Sequence, residues 1–135
     1  MAIITNHDEI RTLLGGSHSI AVVGLSARPD RDSYRIAEYL IAAGYRIFPV
    51  NPLVTSVFGI KGHPNLESIQ EPIDIVNIFR RSEFVSDIVD AAIRVHARTV
   101  WMQVGIVDED AAERASAEGL NVVMDRCIMV EHRFS

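Results

Sequence analysis

Several features that mark membrane, secreted or nucleic-acid-binding proteins are missing from this sequence. It has a single cysteine, so no internal disulfide can form, which is typical of a reducing cytoplasm. No apolar run approaches the roughly 20 residues that span a bilayer, and the N-terminal MAIITNHDEI lacks the basic and then apolar plan of a signal peptide. The formal net charge of -5 argues against nucleic-acid binding, which uses clustered Lys and Arg. We therefore expect a cytoplasmic protein without membrane or nucleic-acid partners.

The usual glycine motifs of nucleotide-binding loops are also missing. The segment IAVVGLSARPDRDSYRIAEYL, Ile20 to Leu40, predicts a strand, a loop that opens with one glycine, and a helix. A dinucleotide fingerprint needs G-x-G-x-x-G and an acidic residue about 20 residues later. Here Arg28 and Pro29 replace the later glycines, and Asn51 stands where the acidic residue is expected. A phosphate-binding G-x-x-x-x-G-K-[ST] loop is absent as well.

Apolar runs alternate with helical patterns along the chain. The runs predict five strands, at Ser19–Gly24, Arg46–Val50, Ile73–Phe79, Thr99–Val104 and Asn121–Met124. Helical spacing and capping residues predict five helices. The first runs from Asn6 to Leu14, the second ends at Gly44, and the third is a brief helix over Asn65–Ile69. The fourth follows Arg81 and has apolar pairs such as Phe84/Val85 and Ile88/Val89, and the fifth runs from Asp108 to Gly119.

This alternation predicts an α/β fold. Its 135 residues, 48% of them hydrophobic, fit one domain over residues 1–135. Strands that alternate with helices favour a doubly wound, five-stranded parallel sheet with helices on both faces. Ligands of such sheets bind beyond the carboxyl ends of the strands, where the strand order reverses. The candidate site therefore lies in the loops that follow the strands.

Donor groups for an anion are concentrated in the first of these loops. Gly24 permits close approach of the backbone to a ligand, and Ser26, Arg28, Arg31 and Ser33 precede a helix N-terminus, where unpaired amides favour a phosphate. The alternative is that Gly24 only turns the chain, Ser33 caps the helix, and the arginines are solvated. After the third strand, Arg80 can reach across the cleft, whereas Arg81 is expected on the surface.

Catalytic and metal-binding patterns are sparse. Cys127 and His132 can form a thiol and base pair, but a packed, inert cysteine and a surface histidine are the preferred interpretation. No further Cys or His stands at a spacing that would complete a metal site. Trp101 and Asn77 fall inside predicted strands, where we expect core packing and a hydrogen-bonded buried amide. We therefore expect no catalytic activity.

Several linked motifs resemble a known family. VVGLSARPDRDSYRIAEYL, GYRIFPVNP, VFGIKGHP, IDIVNIFRR, VWMQVGI and MDRCIMVEH follow one another between about Ile20 and His132. Together they resemble the small stand-alone CoA-binding proteins of bacteria and archaea, which are similar to the N-terminal domain of the succinyl-CoA synthetase alpha subunit. The resemblance implies a Rossmann-like fold that binds coenzyme A along the carboxyl edge of the sheet.

The same resemblance implies a set of binding residues. The phosphates are assigned to the first loop, the adenosine to the turn after the second strand, and the rest of the cleft to the next two strand ends: Gly24, Leu25, Ser26, Ala27, Arg28 and Pro29; Val50, Asn51 and Pro52; Phe79, Arg80, Met102 and Gln103. Ser33 joins the phosphate-binding set as a hydroxyl donor of the first loop. The synthetase's phosphorylated histidine belongs to a domain that this chain lacks. Its lysine after the second-strand turn is also missing, because Val54 occupies that neighbourhood. Recognition of the 3′-phosphate then falls to an arginine of the first loop or to Lys61.

Three functional hypotheses follow. The first is non-catalytic binding of coenzyme A or an acyl-CoA. The second is an enzyme, either a nicotinamide-dependent oxidoreductase or a thiol-redox protein that uses Cys127. The third is a regulatory subunit that signals acyl-CoA status to a protein partner.

Overall fold

The computed structural model describes residues 3–135 and has the predicted alternation of strands and helices. Met1 and Ala2, the first residues of the predicted domain, lie outside the described residues. The helices are α1 His7–Gly15, α2 Asp32–Ala42, α3 Val85–Arg94, α4 Glu109–Ala117 and α5 Ile128–Arg133. The strands are β1 Ser19–Val23, β2 Arg46–Val50, β3 Ser56–Val57, β4 Ile60–Lys61, β5 Ile75–Ile78, β6 Thr99–Met102 and β7 Asn121–Val123. Short 3-10 turns lie at Leu66–Ser68 and Ser82–Phe84. None of the helices described is long and apolar enough to cross a membrane.

Five strands form the predicted parallel sheet, in the order β2-β1-β5-β6-β7. From β1 the chain passes to β2 on one side and then to β5 on the other side. The strand order therefore reverses at β1, and the loops that follow β1 and β5 flank the crevice in which doubly wound sheets bind ligands. The predicted fold class is confirmed.

The two faces of the sheet pack against different helices. Alternate strand residues such as Val23, Ile78 and Met102 join the core formed with α3 and α4. Their neighbours, such as Val22 and Trp101, face α1, α2 and α5. All five residues of β1 are buried, as the near-continuous apolar run predicts for a strand covered on both sides.

Helices α1 and α4 begin, and helix α2 ends, at the capping residues that the sequence predicts. The Asn6 side chain accepts hydrogen bonds from the Asp8 and Glu9 amides at 2.8 and 3.2 Å, and Asp108 accepts one from the Ala111 amide at 3.0 Å. Gly44 has φ +103°, the left-handed backbone that the end of α2 requires. These local predictions are confirmed.

A small hairpin and a C-terminal helix are not predicted by the sequence patterns. Strands β3 and β4 pair around Phe58 and Gly59, both with positive φ, and His63 then pairs with β2 at Val50. Two-residue strands are too short to show alternation. Helix α5 has only six residues, and its first amide, that of Ile128, donates to Gln103 Oε1 at 3.0 Å. Tertiary contacts hold both elements.

Asn77 differs from the expectation of a hydrogen-bonded buried amide. It lies in β5 between Val22 and Trp101 of the neighbouring strands, and its side chain is fully buried. Neither Oδ1 nor Nδ2 has a hydrogen-bond partner within residues 3–135. The prediction of a hydrogen-bonded amide is therefore wrong. Because a buried amide without partners costs free energy, Asn77 lowers the stability of the fold.

Tyr45 makes the stability of the fold sensitive to alkaline pH. Its hydroxyl donates to the Leu14 carbonyl at 2.7 Å, and burial, together with nearby Tyr39, raises the pKa of Tyr45 above its ordinary value. In the unfolded chain this phenol ionises near pH 10. The Tyr45 contribution to stability is therefore complete below pH ~10 and is lost as the pH rises through the higher folded-state pKa.

We expect Tyr45→Phe to lose about 1 kcal/mol of unfolding free energy near neutral pH, because the hydrogen bond to Leu14 is removed. The variant should lose less stability than the wild type between about pH 8 and about pH 11, since the raised phenol pKa is gone. Urea unfolding at both pH values measures the difference. Equal losses in the two proteins would contradict this assignment.

Candidate functional site

Gly24 ends β1 at the point where the strand order reverses. Its amide donates to the Val50 carbonyl at 2.8 Å, and its φ is +91°. A Cβ at this position would lie 2.7 Å from the Phe79 carbonyl oxygen and 3.1 Å from Arg80 Cδ. Glycine is therefore required because the chain that follows β5 packs directly against it, in addition to any approach by a ligand.

Two serines fix the shape of the loop after β1. Ser33 is buried, and its Oγ accepts a hydrogen bond from the Ser26 amide at 3.0 Å. The Oγ of Ser26 accepts one from the Arg28 amide at 3.1 Å. Both hydroxyl hydrogens remain available to donate. Ser33 lies inside α2, whose N-cap is Arg31, and its hydroxyl bonds to the loop. The alternative that Ser33 caps the helix is therefore wrong.

The N-terminus of α2 faces this loop. Arg31 is the N-cap residue, with extended backbone, and within the described chain no side chain caps the helix. The first amides of an uncapped helix favour an anion, and α2 has eleven residues. Together with the two serine hydroxyls, these amides form a donor set suited to a phosphate.

This donor set borders the first of three cavities at the carboxyl edge of the sheet, which we name the loop cavity. Its volume is about 510 Å³. It is lined by Gly24, Ser26, Arg28, Asp30, Arg31, Asp32, Ser33 and Phe79. Most of these residues are polar or charged, so the loop cavity suits a charged group.

The second cavity, the apolar slot, lies between the end of β2 and α3. Its volume is about 340 Å³. It is lined by Val23, Val50, Pro52, Pro64, Asn65, Leu66, Glu67, Arg80, Phe84, Asp87, Ile88, Ala91 and Arg94. Apolar walls with a few polar groups at the rim are typical of sites that take a flat heterocycle.

The third cavity, the chamber, lies beyond β5 and β6 and has a volume of about 530 Å³. It is lined by Asp32, Ile36, Phe79, Arg80, Arg81, Ser82, Gln103, Val104, Gly105, Ile106 and Cys127. Phe79 borders both the chamber and the loop cavity, and Arg80 borders both the chamber and the apolar slot. The three cavities therefore meet where β5 ends.

Most residues that the sequence predicts for the site line one of these cavities. They are Gly24, Ser26, Arg28, Ser33, Val50, Pro52, Phe79, Arg80 and Gln103. The side chains of Leu25 and Met102 are fully buried in the core, and Ala27 is exposed on the loop. A ligand can reach Leu25 and Met102 only through their backbone.

Two amide side chains of the predicted site have structural partners. Asn51 Nδ2 donates to the Leu25 carbonyl at 3.1 Å, and Asn51 Oδ1 accepts from the Leu53 amide at 2.9 Å. Gln103 is buried and uses Oε1 to accept from the Ile128 amide. Asn51 therefore links the first loop to the turn after β2, and Gln103 links β6 to α5.

The residues of the slot that come from the two 3-10 turns and from α3 are not singled out by the sequence. Leu66, Phe84 and Ile88 line it. The sequence pairs Phe84 with Val85 and Ile88 with Val89 as one apolar helix face, which predicts core packing rather than a cavity. The partial exposure of Phe84, 41%, is visible only in the folded chain.

Of three arginines around the cavities, two lie beside a carboxylate and the third stacks on an aromatic ring. Arg28 forms an exposed ion pair with Asp30 at 3.2 Å. Arg81 is 84% exposed and lies 3.7 Å from Glu83, as the prediction of a surface residue requires. The Arg80 guanidinium instead stacks over the Phe84 ring, 4.4 Å from its centroid.

Cys127 and His132 do not form the alternative thiol and base pair. Cys127 is partly exposed beside the chamber, whereas His132 Nδ1 bonds with the Tyr39 hydroxyl at 2.8 Å. Cys127 is therefore less buried, and His132 less exposed, than predicted. The part of the chain that the structure describes has no group of three or more His, Cys, Asp or Glu placed to hold a metal.

A separate groove of about 470 Å³ lies at the amino edge of the sheet, beside α1. Asp8, Glu9 and Arg98 are its charged lining residues, and Arg98 lies 3.8 Å from the Asp74 carboxylate. Its two carboxylates outnumber its single guanidinium, whereas the loop cavity has two arginines beside its two aspartates, so a phosphate is less favoured here. The carboxyl edge is thus the better candidate site.

Comparisons with known proteins identify the family of the chain. The model of the CoA binding domain family matches residues 18–133. The uncharacterized protein YneT of Bacillus subtilis (strain 168) is 44% identical over 124 residues, which cover 92% of this chain and 92% of YneT. The family resemblance seen in the sequence motifs is confirmed.

Solved structures share the fold. A hypothetical protein from Pyrococcus horikoshii OT3 is 34% identical, with a TM-score of 0.93 over 96% of this chain and 92% of its own. The apo form of the dinucleotide forming acetyl-coenzyme A synthetase 1 of Ca. Korarchaeum cryptofilum is 23% identical, with a TM-score of 0.68. The latter match covers 77% of this chain and 25% of the synthetase, and it shows the fold alone.

Proposed function

The chain belongs to the CoA-binding domain family, and from that premise we propose that it binds coenzyme A or an acyl-CoA along the carboxyl edge of its sheet without catalysing a reaction of its own. One observation carries the proposal. Three cavities of different character meet at the Phe79–Arg80 end of β5. CoA likewise consists of three chemically different parts in sequence: an adenosine, a pyrophosphate and a pantetheine arm.

Each part has a cavity of matching chemistry. The apolar slot between Pro52 and Phe84 takes the adenine, and its neighbour, the loop cavity, takes the pyrophosphate on the α2 amides and on Ser26 and Ser33. The chamber takes the pantetheine arm, whose amides match a wall that has both apolar residues and polar residues such as Ser82. Val23 in the slot adjoins Gly24 in the loop cavity, so the parts can follow one another without a gap.

The same geometry disfavours the nicotinamide alternative. An NAD site needs backbone amides that approach the pyrophosphate and an acidic side chain on the ribose. Here the Ser26 and Arg28 amides already donate to serine hydroxyls. At the end of β2, both polar atoms of the Asn51 side chain are engaged within the protein.

Mass spectrometry of gently purified protein, followed by calorimetric titration with CoA, acetyl-CoA and NAD, tests the proposal. We expect CoA or acetyl-CoA to bind and to raise the melting temperature, because a ligand at about 100 times its dissociation constant adds roughly 2.7 kcal/mol of stability. Stabilisation by NAD, with none by CoA or acetyl-CoA, would overturn it.

Cys127 provides a reporter of the pantetheine arm, because it is the sole cysteine and borders the chamber. We expect acetyl-CoA, which has no free thiol to consume the reagent, to slow alkylation of Cys127 by iodoacetamide about tenfold when present at about ten times its dissociation constant. Adenosine 3′,5′-bisphosphate, which lacks the arm, should not protect. The rate is followed by intact mass.

Two outcomes would contradict that prediction. Equal protection by both nucleotides would mean that the arm does not occupy the chamber. With CoA disulfide supplied in place of acetyl-CoA, exchange that joins Cys127 to one CoA and releases the other as a thiol, also visible by intact mass, would instead favour the thiol-redox alternative.

A further inference from the structure

We infer that Arg80 recognises the ribose 3′-phosphate, the group that distinguishes CoA from dephospho-CoA; this inference rests on the proposed function. Arg80 borders the apolar slot on one side and the chamber on the other. Its Cδ lies 3.1 Å from the position of a Cβ on Gly24, so its stem runs past the end of β1. The residue thus stands at the mouth of the slot, where the ribose of a bound adenosine would lie.

The guanidinium of Arg80 is held in place by stacking and has no ion-pair partner within residues 3–135. It stacks over the Phe84 ring at 4.4 Å, and it is partly buried. Among residues 3–135 no carboxylate forms an ion pair with it. A stacked, unpaired guanidinium keeps its N–H edge free for two parallel hydrogen bonds to a phosphate.

The other cations near the slot are less suitable. Arg94 donates through both Nε and an Nη to Glu67 Oε2, at 3.2 and 2.8 Å, and that ion pair lowers the Glu67 pKa below its ordinary value. Arg28 is paired with Asp30. Lys61, in β4, lines none of the three cavities found in the described chain.

The acidic residues of the apolar slot limit where the 3′-phosphate can lie. Glu67 and Asp87 both line it, so a phosphate monoester with a charge of about -1.5 to -2 is repelled from its interior. The phosphate is therefore assigned to the mouth, beside the unpaired guanidinium of Arg80. The loop arginine Arg31, which lines the loop cavity, is then left to the pyrophosphate.

Calorimetric titration of CoA and dephospho-CoA into wild type and variants tests the inference. Arg80→Met keeps an apolar stem against Phe84 and removes the charge. We expect the wild type to prefer CoA at least about tenfold, which corresponds to about 1.4 kcal/mol, and Arg80→Met to reduce this preference to about twofold or less. The affinity for dephospho-CoA should change less than about threefold.

Two further variants make the result specific. Arg46→Met is the matched control, because Arg46 also stacks on a phenylalanine, Phe48, but lies at the amino end of β2; it should retain the full preference. Arg80→Lys keeps the charge without the bidentate edge and should give an intermediate preference. Thermal melts of each variant establish that it is folded.

The outcomes separate this inference from the proposed function. An unchanged preference for CoA in Arg80→Met, or an equal loss of affinity for both ligands, would overturn the role of Arg80. Either result would leave the proposed function standing. Loss of the preference in Arg94→Met but not in Arg80→Met would transfer the role to Arg94. Failure of the wild type to bind either ligand would overturn the proposed function and this inference together.

Discussion

Gly24→Ala is expected to weaken CoA binding at least about tenfold and to lower the free energy of unfolding by about 2–5 kcal/mol. Left-handed backbone costs an alanine about 1–2 kcal/mol. The clash of the new Cβ with the Phe79 carbonyl adds an overpacking cost of about 1–3 kcal/mol. The Phe79 amide donates to the Val23 carbonyl of β1, so this residue is held against the strand. Its carbonyl oxygen can therefore move away from the new Cβ only if the backbone shifts where the three cavities meet.

Gly44→Ala is the matched control for this prediction. Gly44 also has a strongly positive φ at the exposed end of α2, but a Cβ there would meet no heavy atom of the described chain within 4 Å beyond its own chain neighbours. It should therefore lose only the backbone cost and keep the wild-type affinity for CoA. Thermal or urea unfolding and calorimetry measure both variants. Equal stability losses, with CoA affinity intact in Gly24→Ala, would show that the contact with Phe79 is unimportant.

Asn77→Leu is expected to raise the free energy of unfolding by about 1–3 kcal/mol. The wild-type side chain is fully buried, and its two polar atoms have no partner in residues 3–135. Leucine has the same branched shape without polar atoms, so it removes the desolvation cost and packs against Val22 and Trp101. Urea unfolding near neutral pH measures the gain.

Gln103→Leu provides the opposite case. Gln103 is also a buried amide, but its Oε1 accepts from the Ile128 amide at the start of α5. The leucine variant leaves that amide unpaired and should lose about 1–3 kcal/mol. Destabilisation of Asn77→Leu by a similar amount would mean that the Asn77 amide is hydrogen-bonded in solution.

The five-stranded parallel sheet could be predicted because the strands and helices that build it follow from chain-local signals. Five apolar runs separated by helical patterns predict a parallel sheet, and the carboxyl-edge rule then selects the loops that start at Gly24, Asn51, Arg80, Gln103 and Asp125. Capping residues such as Asp108 act within one turn, so their role is visible in sequence.

What the sequence could not show depends on contacts between distant segments. The same hydrophobic pattern places Leu25 in the core and leaves Phe84 on a cavity wall, because burial is decided by neighbouring elements. Asn51 and Gln103 have donors and acceptors suited to a ligand, yet they bond to Leu25 and Ile128. Spacing alone does not distinguish a ligand contact from a structural hydrogen bond.

The stacking of Arg80 on Phe84 is another such contact. The sequence predicts Arg80 at the cleft and Arg81 on the surface, but it shows no partner for Arg80. In the structure Arg81 is exposed beside Glu83, and Arg80 lies between two cavities. The candidate for 3′-phosphate recognition therefore shifts from the first loop and Lys61 to Arg80.

An NMR titration of ¹⁵N-labelled protein with CoA tests the central claim most directly, because it reports both binding and location. Saturable shifts are predicted for backbone amides of the loops at Gly24–Ser33, Phe79–Phe84 and Gln103–Ile106, with little change at Thr12 and Ser17 in the amino-edge groove. Absence of saturable shifts, or shifts confined to the amino-edge groove, would contradict CoA binding at the carboxyl edge of the sheet.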